Sequence, residues 1–594
     1  VLPAALIGCP DRAPPAVPAA APATFGPLEA APAAALAAAP AYAGAPLRFV
    51  ELVRTGDRPG GQGERFGQLH DAAGAPLDDP MRPPFLELCN EADFNALLPR
   101  GDEALLITHF ECSRGGLYGT TLTRGPDGAP VAAATLALHP LGPWGIYNPC
   151  AGQVTPWGSH LSSEEYEPEA RDWDPATGEI QRGPGGKPDR WWADHNRAFP
   201  DRSKVGPYRY GWVPELTAGP RAADPVTGQK HLAMGRFSHE LSLVLPDQRT
   251  VYQSDDGGKG VGWFLFVADR AGDLGSGTLY AARWSPDPAG AGPLAWISLG
   301  HATQAQLQPL VDADPPLRFA ELFTAADPGP GGSCPTGTRL VQSNGRVECL
   351  GLQAPSARVP DPALAASRLE TRRYAALLGA TTELEKGEGV AYDPVRKTVY
   401  LALSTQQGTM LAGPADSGAD HVQLAAPNAC GGVYGGPAGA GAVDTAGQPI
   451  PSELVMTSLA PALLGRPDGG GCHPDGIANP DNITFAPELD LLFIGEDTHR
   501  HDRAALWAWQ PGAAAPQRVM VAPPKGEITG LAWVPELFGA AWLTVSVQHP
   551  HEPEAAAPFP VEVENKPFGA IPNDARSVVG LLGPFGSPAA APPR

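Results

Sequence analysis

Between Asn148 and Glu169 the chain carries Cys150, the turn Thr155-Pro-Trp-Gly158 and four carboxylates, Glu164, Glu165, Glu167 and Glu169. Thiolate sulfur and carboxylate oxygen are the soft and hard ends of the biological ligand range. A stretch offering both is suited to a transition metal at one end and a hard cation such as calcium at the other. The adjacent charges of Glu164 and Glu165 repel, so they are stable only if solvated or neutralised by a cation. An acidic loop in water is the ordinary reading of a charge run. Here Val154, Trp157 and Leu161 favour the other reading, because they lay the loop against a packed body.

The elements that must position such ligands recur along the sequence. Gly235-Arg-Phe-Ser-His-Glu240 runs into Leu241 to Pro246 and then a second apolar run, Thr250 to Ser254, before Asp255-Asp256. Lys386-Gly-Glu388 leads to Pro394 and Thr398 to Ser404; Asp481-Asn482 leads to Pro487 and Leu491 to Gly495; Lys525-Gly-Glu527 leads to Pro535 and Ala541 to Val547, ahead of Gln548-His549-Pro550. The four prolines are separated by 148, 93 and 48 residues, close to three, two and one multiples of a propeller-blade repeat. Paired short strands joined by Pro/Asp turns at that period predict an all-β chain, a β-propeller of about six blades. Inner strands of a propeller line one channel, so Glu240, Glu388, Asn482 and Glu527, each opening a first strand, are expected to converge. A further apolar strand, Ala104 to Phe110, delivers Glu111.

The 594 residues include 71 Gly and 70 Pro, a turn-rich composition, but 13 Trp, 18 Phe and 12 Tyr in short alternating segments supply a core. The formal net charge of −22 repels phosphate backbones and argues against nucleic-acid binding. No apolar run of eighteen residues is present, so no spanning helix is expected. Residues 1 to 46 form an Ala/Pro-rich arm or linker, extended and unable to build a core of its own, and self-association through it is one expected use. Residues 47 to 567 form the propeller domain, with insertions near 171–200 and 312–360, and 568–594 supply closure and a tail.

Eight cysteines suit an oxidising compartment. Cys334 and Cys349 flank Asn344-Gly345, a two-residue hairpin turn, and a disulfide across it is plausible. Cys89 with Cys112, and Cys430 with Cys472, are further pairings that would leave Cys150 as a thiolate and Cys9 unpaired. Leu6-Ile-Gly-Cys9 has the look of a lipoprotein cleavage box, yet the residues that cleavage would remove are still present, which argues against lipid anchoring. A first residue of Val rather than Met fits a processed, exported protein, periplasmic or extracellular.

The order Cys150-Ala-Gly, Thr155-Pro-Trp-Gly, Leu161 and Glu164-Glu165 resembles the signature of the PhoX-type alkaline phosphatases, which are calcium- and iron-dependent phosphate hydrolases. The resemblance extends from about Leu97 to Glu552. It implies that Cys150, Glu240 and Glu388 hold a mixed iron and calcium cluster. It also implies calcium or outer-sphere roles for Glu111, Glu164, Glu165, Asp255, Asp256 and Glu527, and substrate contacts for Lys386, Asn482 and His549. Three departures are visible. Lys386-Gly-Glu388 stands where the family has Arg-Pro-Glu, Tyr166 where an Asn follows the paired glutamates, and His109-Phe-Glu111 where Asn-His-Glu is usual. Lysine keeps the positive charge and loses the bidentate fork.

The chain lacks a Gly-x-Ser-x-Gly elbow, and Gly469-Gly-Gly471 follows no expected strand, so neither a serine hydrolase nor a P-loop enzyme is indicated. The resemblance implies Ca2+ and Fe3+ as cofactors and small phosphate esters as substrates. Hydrolysis is then expected through a metal-bound oxide or hydroxide, with Lys386 as the catalytic cation. Two alternatives differ in chemistry: a calcium-stabilised propeller serving as an interaction surface, and a phosphodiesterase or lactonase on the same fold.

Overall fold

The computed structural model describes residues 29–30, 47–61, 63–78, 86–181, 189–221, 224–257, 259–411, 421–551 and 575–585. Apart from residues 29–30, the N-terminal arm lies outside the described residues, as do most of the 568–594 segment and Cys9. The chain divides into two compact units: residues 1–145, 217–227 and 465–594 form one, and 146–216 with 228–464 form the other.

The first unit is built from three antiparallel sheets of consecutive strands. Ala92–Arg100, Glu103–Phe110, Gly116–Arg124 and Pro130–Ala137 make one. Pro480–Ala486, Leu491–Glu496, Ala505–Trp509 and Gln517–Val521 make the second, with Glu29–Ala30 added at its edge. The third joins the two ends of the chain. Glu527–Leu537 and Ala540–Gln548 are followed by Val578–Gly583, which pairs in turn with Arg48–Arg54. These are blade-like meanders, and their facing sides bury Phe493, Leu506, Leu543 and Val545 in one cluster and Leu106, Phe110, Tyr118 and Trp542 in another.

In the second unit, His239–Val244, Thr250–Asp255, Trp263–Arg270, Asp273–Trp284 and Gly292–Thr303 follow one another in order. Gly387–Asp393, Thr398–Leu403, Gly432–Gly439 and Ser458–Leu464 form a second meander, joined to the first where Gly292 pairs with Leu459. The main core holds Tyr252, Trp263, Trp284, Trp296 and Leu401. The all-β, propeller-like expectation therefore describes both units.

All four expected hairpins form. A fifth, Ala92–Arg100 with Glu103–Phe110, was not among those read as repeats, although its second strand was expected. The region near 171–200 contains the helix Arg190–Asn196, capped by Asp189, and it buries Trp192, whose indole N–H donates to Gly178 O. The region 312–360 contains a three-stranded sheet of Phe323–Ala326, Arg346–Leu352 and Arg339–Ser343. Its turn places Asn344 at φ 48° and Gly345 at φ 69°, the left-handed pair that an Asn-Gly hairpin requires. Disulfides Cys334–Cys349 and Cys89–Cys112 form as read from the sequence, and Cys430 and Cys472 are each disulfide-bonded. No helix among the described residues is long and apolar enough to cross a membrane.

Candidate active site

In the second unit the ligand-bearing residues come together by a shared backbone device. Between the pairs His239↔Asp255 and Ser242↔Gln253 the first strand advances by three residues and the second by two, a β-bulge that contains Glu240. The same offset occurs between Gly387↔Leu403 and Val390↔Leu401, around Glu388. A bulge re-aims a side chain that a regular strand would send to one face or the other. Ligand atoms of Glu240, Asp256 and Glu388 all lie within 4.8 Å of one another, as do those of Cys150, Glu165 and Glu240. Glu240 is common to both groups, and all five side chains are buried.

The acidic loop is seated by Asn148, in the left-handed region at φ 38°. Its carbonyl accepts from Glu165 N at 3.0 Å and its amide donates to Glu165 Oε2 at 3.2 Å, holding that carboxylate beside Cys150. The turn at Thr155 closes through Thr155 N to Ser159 O at 2.8 Å. Ser238 joins two ligand segments: Tyr166 N donates to its hydroxyl, which donates on to Asp256 O. Cys150 is a buried thiol outside the disulfides.

Lys386, at φ 53°, extends its ammonium to Glu388 Oε1 at 3.0 Å and Asp256 Oδ2 at 3.3 Å. Gly387 beside it lies close to the neighbouring strand, where a Cβ would stand a tight 3.1 Å from Asp255 O. The neighbouring Asp255 is committed differently. Its Oδ2 accepts from Gly262 N and pairs with Arg372 Nε at 3.1 Å. Burial, with the nearby charges of Glu167 and Asp256, drives the acid up to about 7 against the pull of Arg372.

Glu164 does not join either ligand group. Its carboxylate accepts from Tyr147 N, Gly211 N and Trp212 N and pairs with Lys230 Nζ at 2.6 Å, so the lone pairs expected to face a metal serve as a buried brace. Burial pushes its pKa up, and Lys230 opposes that. Adjacent acids thus diverge in role because successive residues point to opposite sides of an extended chain.

The first unit gathers its own acids. Glu527 is driven well above the carboxylate range by burial first, then by Asp497, Asp481 and Glu111. Asp93 and Glu111 present oxygens within 4.8 Å of each other, and Gln548 Nε2 donates to Glu111 Oε2 at 3.1 Å. His549 Nε2 lies 3.3 Å from Glu527 Oε2. Both functional ends of Asn482 are occupied: its amide donates to Asp481 Oδ1 and its oxygen accepts from Gly530 N at 3.0 Å. Asp93 and Asp481 sit in bulges of the same three-to-two offset, at Ala92/Asn95 and Pro480/Ile483. The residue equivalent to Glu240 is therefore Asp481 rather than Asn482, and Asp93 is a fourth member that the sequence reading missed. A signal for it exists: Asp93, Glu240, Glu388 and Asp481 each precede a proline by six residues, Pro99, Pro246, Pro394 and Pro487.

The profile of the family described as alkaline phosphatase PhoX matches residues 141–551, spanning most of the chain. The chain belongs to the PhoX alkaline phosphatase family. The PhoX fold is recovered independently. The structure of Pseudomonas fluorescens PhoX in complex with vanadate, a transition-state analogue, aligns at TM-score 0.57 and 19% identity, covering 91% of this chain and 95% of that one. The polysaccharide lyase Uly1 (TM-score 0.26, 11% identity, 90% and 97% covered) and the β-propeller domain of the Trilobed protease from Pyrococcus furiosus (0.24, 7%, 77% and 91%) align too loosely to carry an argument. No curated protein matches the chain in sequence. Membership of the PhoX family makes the chain a phosphatase by class.

Proposed function

We propose that the protein hydrolyses small phosphate monoesters in a metal-dependent reaction, outside the cytosol. The observation that carries this is the buried group of Cys150, Glu165, Glu240, Asp256 and Glu388, with one ammonium, Lys386, drawn against two of its carboxylates. Four carboxylates and a thiol so far from water are costly unless cations neutralise them, and the Lys386 ammonium engages two of those carboxylates. The donor set fits the family's metals. The thiol and its neighbouring carboxylates suit iron, and the carboxylate oxygens alone suit calcium. Asp93, Glu111, Asp481 and Glu527 of the first unit are hard-oxygen donors of the calcium type.

When bound, iron and calcium supply Lewis acidity that polarises phosphoryl oxygens. The chain's residues then do the following. Cys150 and the four carboxylates hold the cations, and Asn148 fixes the orientation of Glu165. Lys386, now beside Glu388 and Asp256, would neutralise charge on the phosphoryl group. As a point charge on a flexible stem, it grips fewer oxygens than the arginine fork it replaces. The two described disulfides support an oxidising compartment.

The test is the purified protein's activity on a chromogenic monoester and a matching diester, with iron and calcium quantified. Monoester turnover with both metals bound is the expected result. Calcium alone with no turnover would favour a structural propeller, and diester preference would move the substrate class.

A further inference from the structure

The segment that presents Lys386 is held by a second buried carboxylate. Glu385, 2% exposed, accepts from Thr409 N at 2.9 Å and from Thr409 Oγ1 at 3.4 Å. The same hydroxyl donates to Glu383 O at 2.9 Å, and Glu383 in turn accepts from the backbone of His421 and Val422. Thr409 belongs to the turn Gly408–Met410, anchored in the core by Met410. Gly408 is at φ 56°, and a Cβ there would overlap Glu385 Oε1. The carboxylate thus reaches the turn only because residue 408 has no side chain. On the other side of Lys386, Gly387 lies against the backbone of Asp255, and Lys386 O accepts from Ser404 N at 3.2 Å.

We infer that Glu385, seated on Gly408 and Thr409, is a positioning residue for Lys386, fixing its left-handed backbone so that the ammonium is delivered to the Glu388–Asp256 side of the site. The inference rests on the reading of Lys386 as the phosphate-binding cation. A lysine has four rotatable bonds and spends rotamer entropy on every fixed contact, so a rigid origin matters more for it than for a planar guanidinium. Here both neighbours of Lys386 are immobilised, which confines the search to the side chain alone.

The test compares Gly408→Ala, Glu385→Ala, Glu385→Gln, the double variant Gly408→Ala with Glu385→Ala, and Lys386→Ala in the metal-loaded enzyme. The readings are KM, kcat, inhibition by inorganic phosphate, and iron and calcium content. Small misplacement of a binding group costs on the order of tenfold or more. Gly408→Ala and Glu385→Ala are expected to raise KM and the phosphate inhibition constant about tenfold, with smaller change in kcat and metals retained. The double variant removes the clash and keeps only the strain of a side chain at φ 56°, so its phosphate inhibition constant should match that of Glu385→Ala even where its stability is lower. Glu385→Gln keeps the volume and part of the acceptor and should shift the same constants less, which keeps the test open if the alanine variants fold poorly. Unchanged phosphate inhibition in the Glu385 and Gly408 variants, with Lys386→Ala impaired, overturns the clamp and spares the lysine. Unchanged inhibition in Lys386→Ala overturns the reading of the lysine itself.

Discussion

Lys386 Nζ lies 3.0 Å from Glu388 Oε1, and the two residues flank a glycine that closes against the next hairpin. A cation and a candidate metal ligand two positions apart therefore share one side of a strand entrance. That relationship gives the lysine a role distinct from metal binding. Replacing it with Ala should reduce monoester turnover about ten- to a hundredfold and weaken phosphate inhibition, with metal content nearly intact. Arg at the same position should preserve or improve both, since its planar fork matches two phosphoryl oxygens. Steady-state kinetics with metal quantification on the two variants decides the matter, and an Ala variant indistinguishable from the parent would remove Lys386 from the site.

Cys150 and Glu240 test the division of ligands. Cys150→Ser exchanges a soft donor for a weak hard one, so iron should be lost in preference to calcium when the purified variant is analysed. Glu240→Gln touches both ligand groups and should deplete both metals. Iron content unchanged by Cys150→Ser would place the thiol outside the metal shell.

Glu164 should behave differently from its neighbour Glu165. Its substitution by Ala removes the partner of the partly buried Lys230 and the acceptor of three backbone N–H groups, a loss on the order of 3–5 kcal/mol. The expected signature is a large drop in the unfolding midpoint, whereas Glu165→Gln should cost metal with a smaller drop. Equal metal loss and equal stability in the two variants would contradict the assignment of Glu164 as a brace.

The ion pairs of Glu169 predict an acid limb to stability. Burial alone would raise its pKa, but Arg373, with Arg346 and the Arg171 N–H, holds it down at about 2. A carboxyl more acidic in the folded than in the unfolded chain stabilises above the unfolded value near 4.5. That contribution, up to about 3 kcal/mol, is lost as pH falls from there toward 2. Denaturant unfolding of the parent and Glu169→Gln should show a gap that narrows through this window. A gap independent of pH would mean that the Arg373 pair does not set the ionisation.

The hairpins were legible in the sequence because each couples a period-two apolar run to a proline turn. The repeat also exposed Glu240 and Glu388, since the acid, the run and the proline keep a fixed spacing. Asp93 escaped because the run from Asp93 to Pro99 was not taken as a first strand, although Pro99-Arg-Gly-Asp102 repeats the Pro-x-x-Asp order of Pro487 to Asp490. Asn482 drew attention away from Asp481 because a one-residue bulge shifts which side chain faces inward, and bulges have no composition of their own. The separation of Glu164 from Glu165 was hidden for a related reason. It depends on Lys230 and on N–H groups at Tyr147, Gly211 and Trp212, partners remote in sequence that no local pattern announces.

The central claim is that phosphate-ester hydrolysis by this chain depends on metals held by the buried thiol and carboxylates. Its most direct test is monoester hydrolysis by the purified protein after chelation and then after return of iron and calcium, separately and together. The account predicts that chelation abolishes turnover, that calcium alone does not restore it, and that both metals together do, with Glu388→Gln refractory to restoration. Turnover that survives complete removal of iron and calcium, or that returns equally in Glu388→Gln, would contradict it.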